Sequence, residues 1–431
     1  MGKIRKTAGT ITAIILACSL CGCRVEFDDS TATSSGSEIS VTVNAGIEPR
    51  RDTVVAHSTN GSGEEIEITY DDFRKEYMYF LVNNGVSNDN SAEIAEQCRS
   101  RRATLINTLI NEQVIMAKAK ELGLYEFTAE EQQAVDEEYN SRISQQIEYY
   151  VQQDGGSETS AMSDEEKQTF GDKKLDDMLR ACGMTRNDLR WWATSNKIGE
   201  KLQEELGKPV TRAQAETEFK EIQKNAEELY KSDVSSYEQQ GLAQIWLPEG
   251  SRLIKHVLLG FDDDTITELR ALRADKKDDE ANKLREDKAK ALKSKQDEVE
   301  KKLDDGANID DLIKEYSADA SGSAATPDGY TVLPNGTTYV SEFQQAAFVP
   351  KKIGERTVCA TDYGVHIMVY TGDASVAEES VKYYTDYIEQ ELKNRKFVEK
   401  MNEWREEYDF EINYEALRID EPTNVSSVTS D

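Results

Sequence analysis

The chain has 431 residues, enough for two or three domains with cores of their own. Its 83 acidic residues outnumber 52 Lys and Arg, and the net charge of −31 argues against nucleic acid as a partner. A charged fraction of 31% with only 7 prolines fits a helix-rich body with solvated faces. The chain opens with three cations, Lys3, Arg5 and Lys6, followed by an apolar core over residues 11–20. That core is too short for a permanent transmembrane helix, and with its flanks it reads as a secretion signal over residues 1–22.

Residues 20–23, Leu-Cys-Gly-Cys, resemble a bacterial lipobox with Cys23 as the lipid acceptor; the alternative is an ordinary cleaved signal. The resemblance to lipoproteins implies a diacylglycerol on Cys23 and the membrane as a partner through it, because two acyl chains anchor stably where one binds reversibly. So acidic a body is repelled by anionic head groups, which favours standing off the membrane on a tether. Residues 23–50, rich in Ser, Thr, Asp and Gly without a sustained period, read as that disordered tether.

Residues 53–57 and 65–69 read as strands joined by a turn at 60–63. His57, in the first of them, has no acid or cysteine close in sequence and reads as structural. Thr69 caps a helix with Asp72 three residues on, and Phe73, Tyr77 and Phe80 mark its apolar face. Residues 91–122 form a long helix with a stripe of Ile94, Cys98, Leu105, Leu109 and Met116, ended by Gly123. Thr128 and Glu131 frame a capping box for a helix striped by Val135, Tyr139, Ile143, Ile147 and Tyr150. Residues 154–163 read as a flexible loop, and 175–182 and 185–206 as helices, the second holding Trp191 and Trp192. Thr211 caps a further helix running through Tyr230. Cys98, Cys182 and Cys359 are an odd, widely spaced set; they read as buried free thiols, a single Cys98–Cys182 bridge being the alternative.

The chain has three histidines, and two of them, His256 and His366, fall mid-strand in segments 252–261 and 361–370. Counting by twos puts His256 on the face of Ile254 and Leu258, and His366 on the face of Met368. Between the strands lie a charged stretch, 265–302, of strong helix propensity, an amphipathic helix at 309–316, a small-residue loop and a helix at 341–348. The charged stretch reads as a helical insertion projecting from its domain, as a solvated spacer or, alternatively, a substrate arm. Asp262, Asp263 and Asp264 lack the spacing and glycine of a calcium loop and read as a solvated turn, so no metal and no cofactor is expected.

Four stretches in order resemble the parvulin family of peptidyl-prolyl isomerases. LIKHVLL (253–259) is similar to its first strand, EYSADAS (315–321) to its serine-rich turn, VSEFQQAAF (340–348) to its pocket helix and TDYGVHIMVY (361–370) to its closing strand. The resemblance implies an active-site network of His256, His366, Asp319 and Thr361, with Phe343 flooring a proline pocket and Tyr339 lining it where the family has methionine. If the two strands are central neighbours, as in parvulins, their histidines meet across the ladder at about 5 Å. Acids at 262–264, where phospho-specific members carry basic residues, argue against a phosphorylated substrate. The order of the N-terminal elements, with AKELGL (119–124) and PVTRAQAETEF (209–219), resembles SurA- and PrsA-type foldases.

The expected fold class is therefore α+β. It comprises a mostly helical SurA-N-like chaperone module at 51–250 and a parvulin domain at 251–375, a small antiparallel sheet flanked by helices with an insertion at about 265–302. Residues 376–417 are expected to pack back on the chaperone module through Tyr383, Tyr387, Leu392, Phe397, Met401 and Trp404, with a short strand at 410–414 and a disordered tail at 418–431. The implied partners are unfolded or nascent secreted polypeptides with X-Pro bonds. The alternatives are a non-catalytic holdase with a degenerate parvulin domain and a structural envelope lipoprotein.

Overall fold

The computed structural model describes residues 48–59, 65–89, 91, 93–153, 156 and 158–420. The signal segment, Cys23, nearly all of the tether, the 60–63 turn, part of the 154–163 loop and the tail beyond Asp420 lie outside the described residues. In chain order the elements are β1 (Val54–Thr59), β2 (Glu65–Thr69), α1 (Tyr70–Asn83), α2 (Ala95–Glu121), α3 (Ala129–Gln153), α4 (Asp164–Cys182) and α5 (Arg186–Gly207). Then come α6 (Arg212–Ser232), α7 (Val234–Gln239), β3 (Arg252–Gly260), α8 (Asp263–Ala274), α9 (Asp278–Ala291), α10 (Lys293–Asp304), α11 (Ile309–Tyr316) and α12 (Ala320–Ala325). The chain closes with β4 (Tyr330–Val332), α13 (Ser341–Ala347), β5 (Arg356–Thr361), β6 (Gly364–Asp373), α14 (Glu378–Tyr408), β7 (Glu411–Ile412) and α15 (Tyr414–Leu417). The class is α+β, mostly helical with small antiparallel sheets.

The chain divides into two compact units, residues 1–210 with 392–431, and residues 211–391. The first holds the sheet β2-β1-β7 and an apolar core of Phe73, Tyr77, Leu105, Ile106, Ile110, Leu175 and Met178. Capping boxes start α1 from Thr69 and α4 from Ser163, each satisfying two otherwise orphaned groups. The Ser163–Glu166 box starts α4 eleven residues before the predicted 175, directly after the expected 154–163 loop, whose described part holds a 3₁₀ turn at Thr159–Ala161. Cys98 and Cys182 are both buried in this core as free thiols. Phe397, Met401 and Tyr408 of α14 pack with Val114, Ile115, Ile198 and Leu202 in a second cluster of the same unit.

Two expectations about the C-terminal half are corrected. Tyr383 and Tyr387 are 65% and 55% exposed, and the helix buries Thr385 and Ile388 instead. Spacing by fours from Tyr383 follows the wrong edge of α14; the covered face starts one residue on, at Tyr384, which stacks on Phe219. Residues 211–250, predicted with the chaperone module, cluster with the second unit, as do 376–391. The cause is apolar: Ala226 and Tyr237 of α6 and α7, with Tyr230 and Trp246, pack on Leu333 just after β4.

The second unit is built on the antiparallel sheet β4-β3-β6-β5. Along β3 and β6 alternate residues go to opposite faces, as the two-residue period of a strand requires. Val257, Leu259, Val365 and Ile367 form one dry face with Leu312 and Ile313 of α11 and Val299 of α10. The charged insertion therefore does not project. Its helices bury Leu269, Ala281 and Val299 among the charges. Asp262 is exposed, as expected of a solvated turn, and its carboxylate also caps α8, accepting from Thr265 N at 2.8 Å. Gly364, the first residue of β6, has φ +148, and a Cβ there would lie 2.2 Å from Leu259 O; only glycine lets β6 start so close to β3.

Candidate active site

The opposite face of β3 and β6 carries Ile254, Met368 and Tyr370 beside His256 and His366. The ladder pairs His256 with Met368 and Leu258 with His366, so the histidines are diagonal neighbours rather than directly opposed. Their rings nonetheless meet edge to edge, with centroids 5.1 Å apart, planes 6° from parallel and the Nδ1 atoms 2.9 Å apart. His256 Nε2 lies 3.2 Å from Asp319 Oδ2, and His366 Nε2 lies 2.9 Å from Thr361 Oγ1. Asp319 also accepts from the Tyr330 hydroxyl at 2.6 Å, and Thr361 Oγ1 accepts from Tyr363 N at 3.1 Å.

These contacts admit one consistent pattern of protons with both imidazoles neutral. Tyr363 N–H donates to Thr361, whose hydroxyl donates to His366 Nε2. His366 Nδ1–H donates to His256 Nδ1, and His256 Nε2–H donates to the Asp319 carboxylate. Neutrality follows from burial, since both rings are almost wholly covered. Desolvation lowers the pKa of His366 to about 3, with the neighbouring His256 adding to the shift and Asp319 opposing it. His256 is lowered by the same burial against the pull of Asp319. The chain of bonds thus runs from a covered end at Thr361 to Asp319, whose side chain is 34% exposed.

Local structure places each group. Ser317, ending α11, accepts from both Leu258 N and Asp319 N, which fixes the turn bearing Asp319 against β3. Gly322 in α12 leaves the space that the Asp319–Tyr330 pair fills: a Cβ there would come within 2.4 Å of both Asp319 Oδ1 and Tyr330 OH. Phe343 of α13 sets its ring edge-on to both imidazoles, at 5.2 Å from His256 and 5.3 Å from His366. Tyr339 packs on Phe343 at 5.1 Å, with its hydroxyl donating to Thr331 O.

All six residues predicted for this site thus come together; Cys23 lies outside the described residues. Tyr330 was not singled out as a site residue. The only signal for it was an aromatic directly after Gly329. Burial and the bond to Asp319 raise its hydroxyl pKa to about 12, so it stays a donor. The described residues hold no cluster of ligating side chains suited to a metal ion.

The PPIC-type PPIASE domain family matches residues 253–400. This segment is similar to parvulin-type domains. Over 113 residues the chain is 35% identical to the foldase protein PrsA of Bacillus subtilis, a stretch covering 26% of this chain and 35% of that relative. Among solved structures, PrsA of Bacillus subtilis matches with 17% identity over 84% of this chain and 96% of its own, at a TM-score of 0.22. PrsA of Streptococcus pneumoniae matches with 14% identity over 82% and 94%, at a TM-score of 0.24.

Proposed function

We propose that the chain is an exported folding factor: a peptidyl-prolyl cis–trans isomerase and chaperone acting on unfolded secreted polypeptides, held at the outer face of the cell membrane by lipid on Cys23. The observation that carries the isomerase reading is the proton chain from Thr361 to Asp319 lying under Phe343. Rotation about X-Pro faces a barrier of about 18–20 kcal/mol and breaks no covalent bond. A catalyst has only to seat the proline ring and favour the twisted amide, in which conjugation is lost. Phe343 and Tyr339 supply the apolar seat. Tyr330, Asp319 and the paired imidazoles supply fixed dipoles beside the rotating carbonyl, which need no reorganisation during the turn.

The test is an isomerisation assay on a proline peptide, comparing the wild type with a His256→Ala, His366→Ala double variant. A drop of about a hundredfold is expected, the size typical of lost electrostatic preorganisation. Equal rates would remove the enzymatic claim. Burial of Phe343, only 4% exposed, favours a second reading, a holdase whose proline seat is closed. Suppression of aggregation by a wild type without turnover would decide for it. The anchor has its own check: Cys23→Ser should move the protein from the membrane fraction to the medium, and continued membrane association would exclude lipid on that residue.

A further inference from the structure

Two residues of the site have acidic neighbours in sequence: Glu342 precedes Phe343 and Asp362 follows Thr361. Both acids are held by the insertion. Arg285 of α9 donates through Nη1 to Glu342 and lies 3.6 Å from Asp362 Oδ1. Arg273 of α8 donates Nε to Asp362 Oδ2 at 2.9 Å and Nη2 to Oδ1 at 3.2 Å, a two-pronged contact. Asn282 joins the two arginines, its Oδ1 accepting from Arg273 at 2.8 Å and from Arg285 at 3.2 Å. The arginine side chains are 27% and 17% exposed, so water competes weakly for these bonds. A guanidinium is a planar fork of fixed donors, and two of them sharing one acceptor hold both acids at set positions.

We propose that the inserted Arg273–Asn282–Arg285 cluster is a positioning brace for the proline site. It fixes α13, which carries Phe343, against the β5–β6 turn, which carries Thr361 and Tyr363. Neither arginine touches the imidazoles. They act through the elements that hold the rings' edge-on partner at one end and the proton chain's first donors at the other. The inference rests on the isomerase reading of the site. The fold also provides a control: Arg356 at the opposite end of β5 from Thr361 pairs with Asp304 at 2.8 Å and Glu300 at 3.8 Å of α10. That clamp ties the insertion to the sheet without reaching either acid.

The experiment combines isomerase kinetics with ¹⁵N-histidine NMR of the full chain, whose three histidines keep the ring spectrum simple. Arg285→Gln and, leaving the insertion intact, Glu342→Gln should each lower kcat about tenfold with KM little changed, as expected when a reacting geometry loosens. Both should broaden the ring N–H signals of His256 and His366, and Arg285→Lys should restore part of each effect. Arg356→Gln should lower the melting temperature and leave both readouts at wild-type values. Wild-type kcat and ring signals in Arg285→Gln and Glu342→Gln would overturn the brace. If the wild type shows no turnover, the isomerase reading fails, and the ring signals alone decide the brace in the same way.

Discussion

In the helical unit two half-covered carboxyls are pushed towards their neutral form, whereas in the sheet unit two buried imidazoles are. Glu76 of α1 accepts from Trp192 Nε1 at 2.7 Å and Glu112 of α2 from Trp191 Nε1 at 3.1 Å. Desolvation, then repulsion from Glu112, raises the Glu76 pKa to about 8, against the Trp192 bond and Arg101. Glu112 is raised by its own burial, against its bonds to Trp191 and Ser195. The histidines of the sheet unit move the other way, down, for the same reason. One penalty on buried charge keeps a proton on the acids and takes it off the bases, so the two units should answer pH with opposite signs.

The largest effect is expected in the sheet unit on acidification. An unfolded histidine binds a proton at its ordinary pKa of 6.5, whereas folded His366 resists until about 3. Its contribution is therefore fully present above pH 6.5 and is lost as pH falls towards 3, at about 1.4 kcal/mol per pH unit, with His256 adding in the same direction. Amide hydrogen exchange in β3 and β6, corrected for intrinsic rates, should report the loss; a pH-independent opening free energy there would break the comparison.

An opposite effect belongs to Glu76. Its contribution is fully present below the ordinary glutamate pKa of 4.5 and is lost as pH rises towards 8. Glu76→Gln keeps an acceptor for Trp192 without the charge, so it should stabilise the helical unit by about 1–3 kcal/mol at neutral pH and flatten its alkaline slope. Urea denaturation followed by tryptophan fluorescence measures both, and a destabilised variant with the wild-type slope would count against a protonated Glu76. The smallest effect is that of Trp191→Phe, which removes one donor from Glu112 and should cost about 0.5–1.5 kcal/mol. A larger loss would mean that the exposed indole packs more than it donates.

Much of the site was legible because its residues are tied to local patterns. His256 and His366 lie on strands whose two-residue period fixes their face, and Asp319 follows a serine that organises its turn through the backbone. Tyr330 was missed because its role depends on Gly322, a small residue whose meaning is the space it leaves for two other groups. The α4 start was missed although its signal, Ser163 with Glu166 three residues on, is of the same kind as the Thr69–Asp72 and Thr128–Glu131 boxes that were recognised.

The sequence by itself determined the two histidine-bearing strands and the N-terminal pair, most helix starts, the face each histidine takes and the parvulin resemblance, because these follow from periods and caps acting over a few residues. Tertiary structure alone decided that the charged insertion lies on the sheet, that residues 211–250 pack against the turn after β4 and that α14 buries Ile388 rather than Tyr387. Each of those outcomes depends on which surface a side chain meets. A Val299 or an Arg285 among charges is indistinguishable from its solvated neighbours until the partner, distant in the chain, is folded beside it.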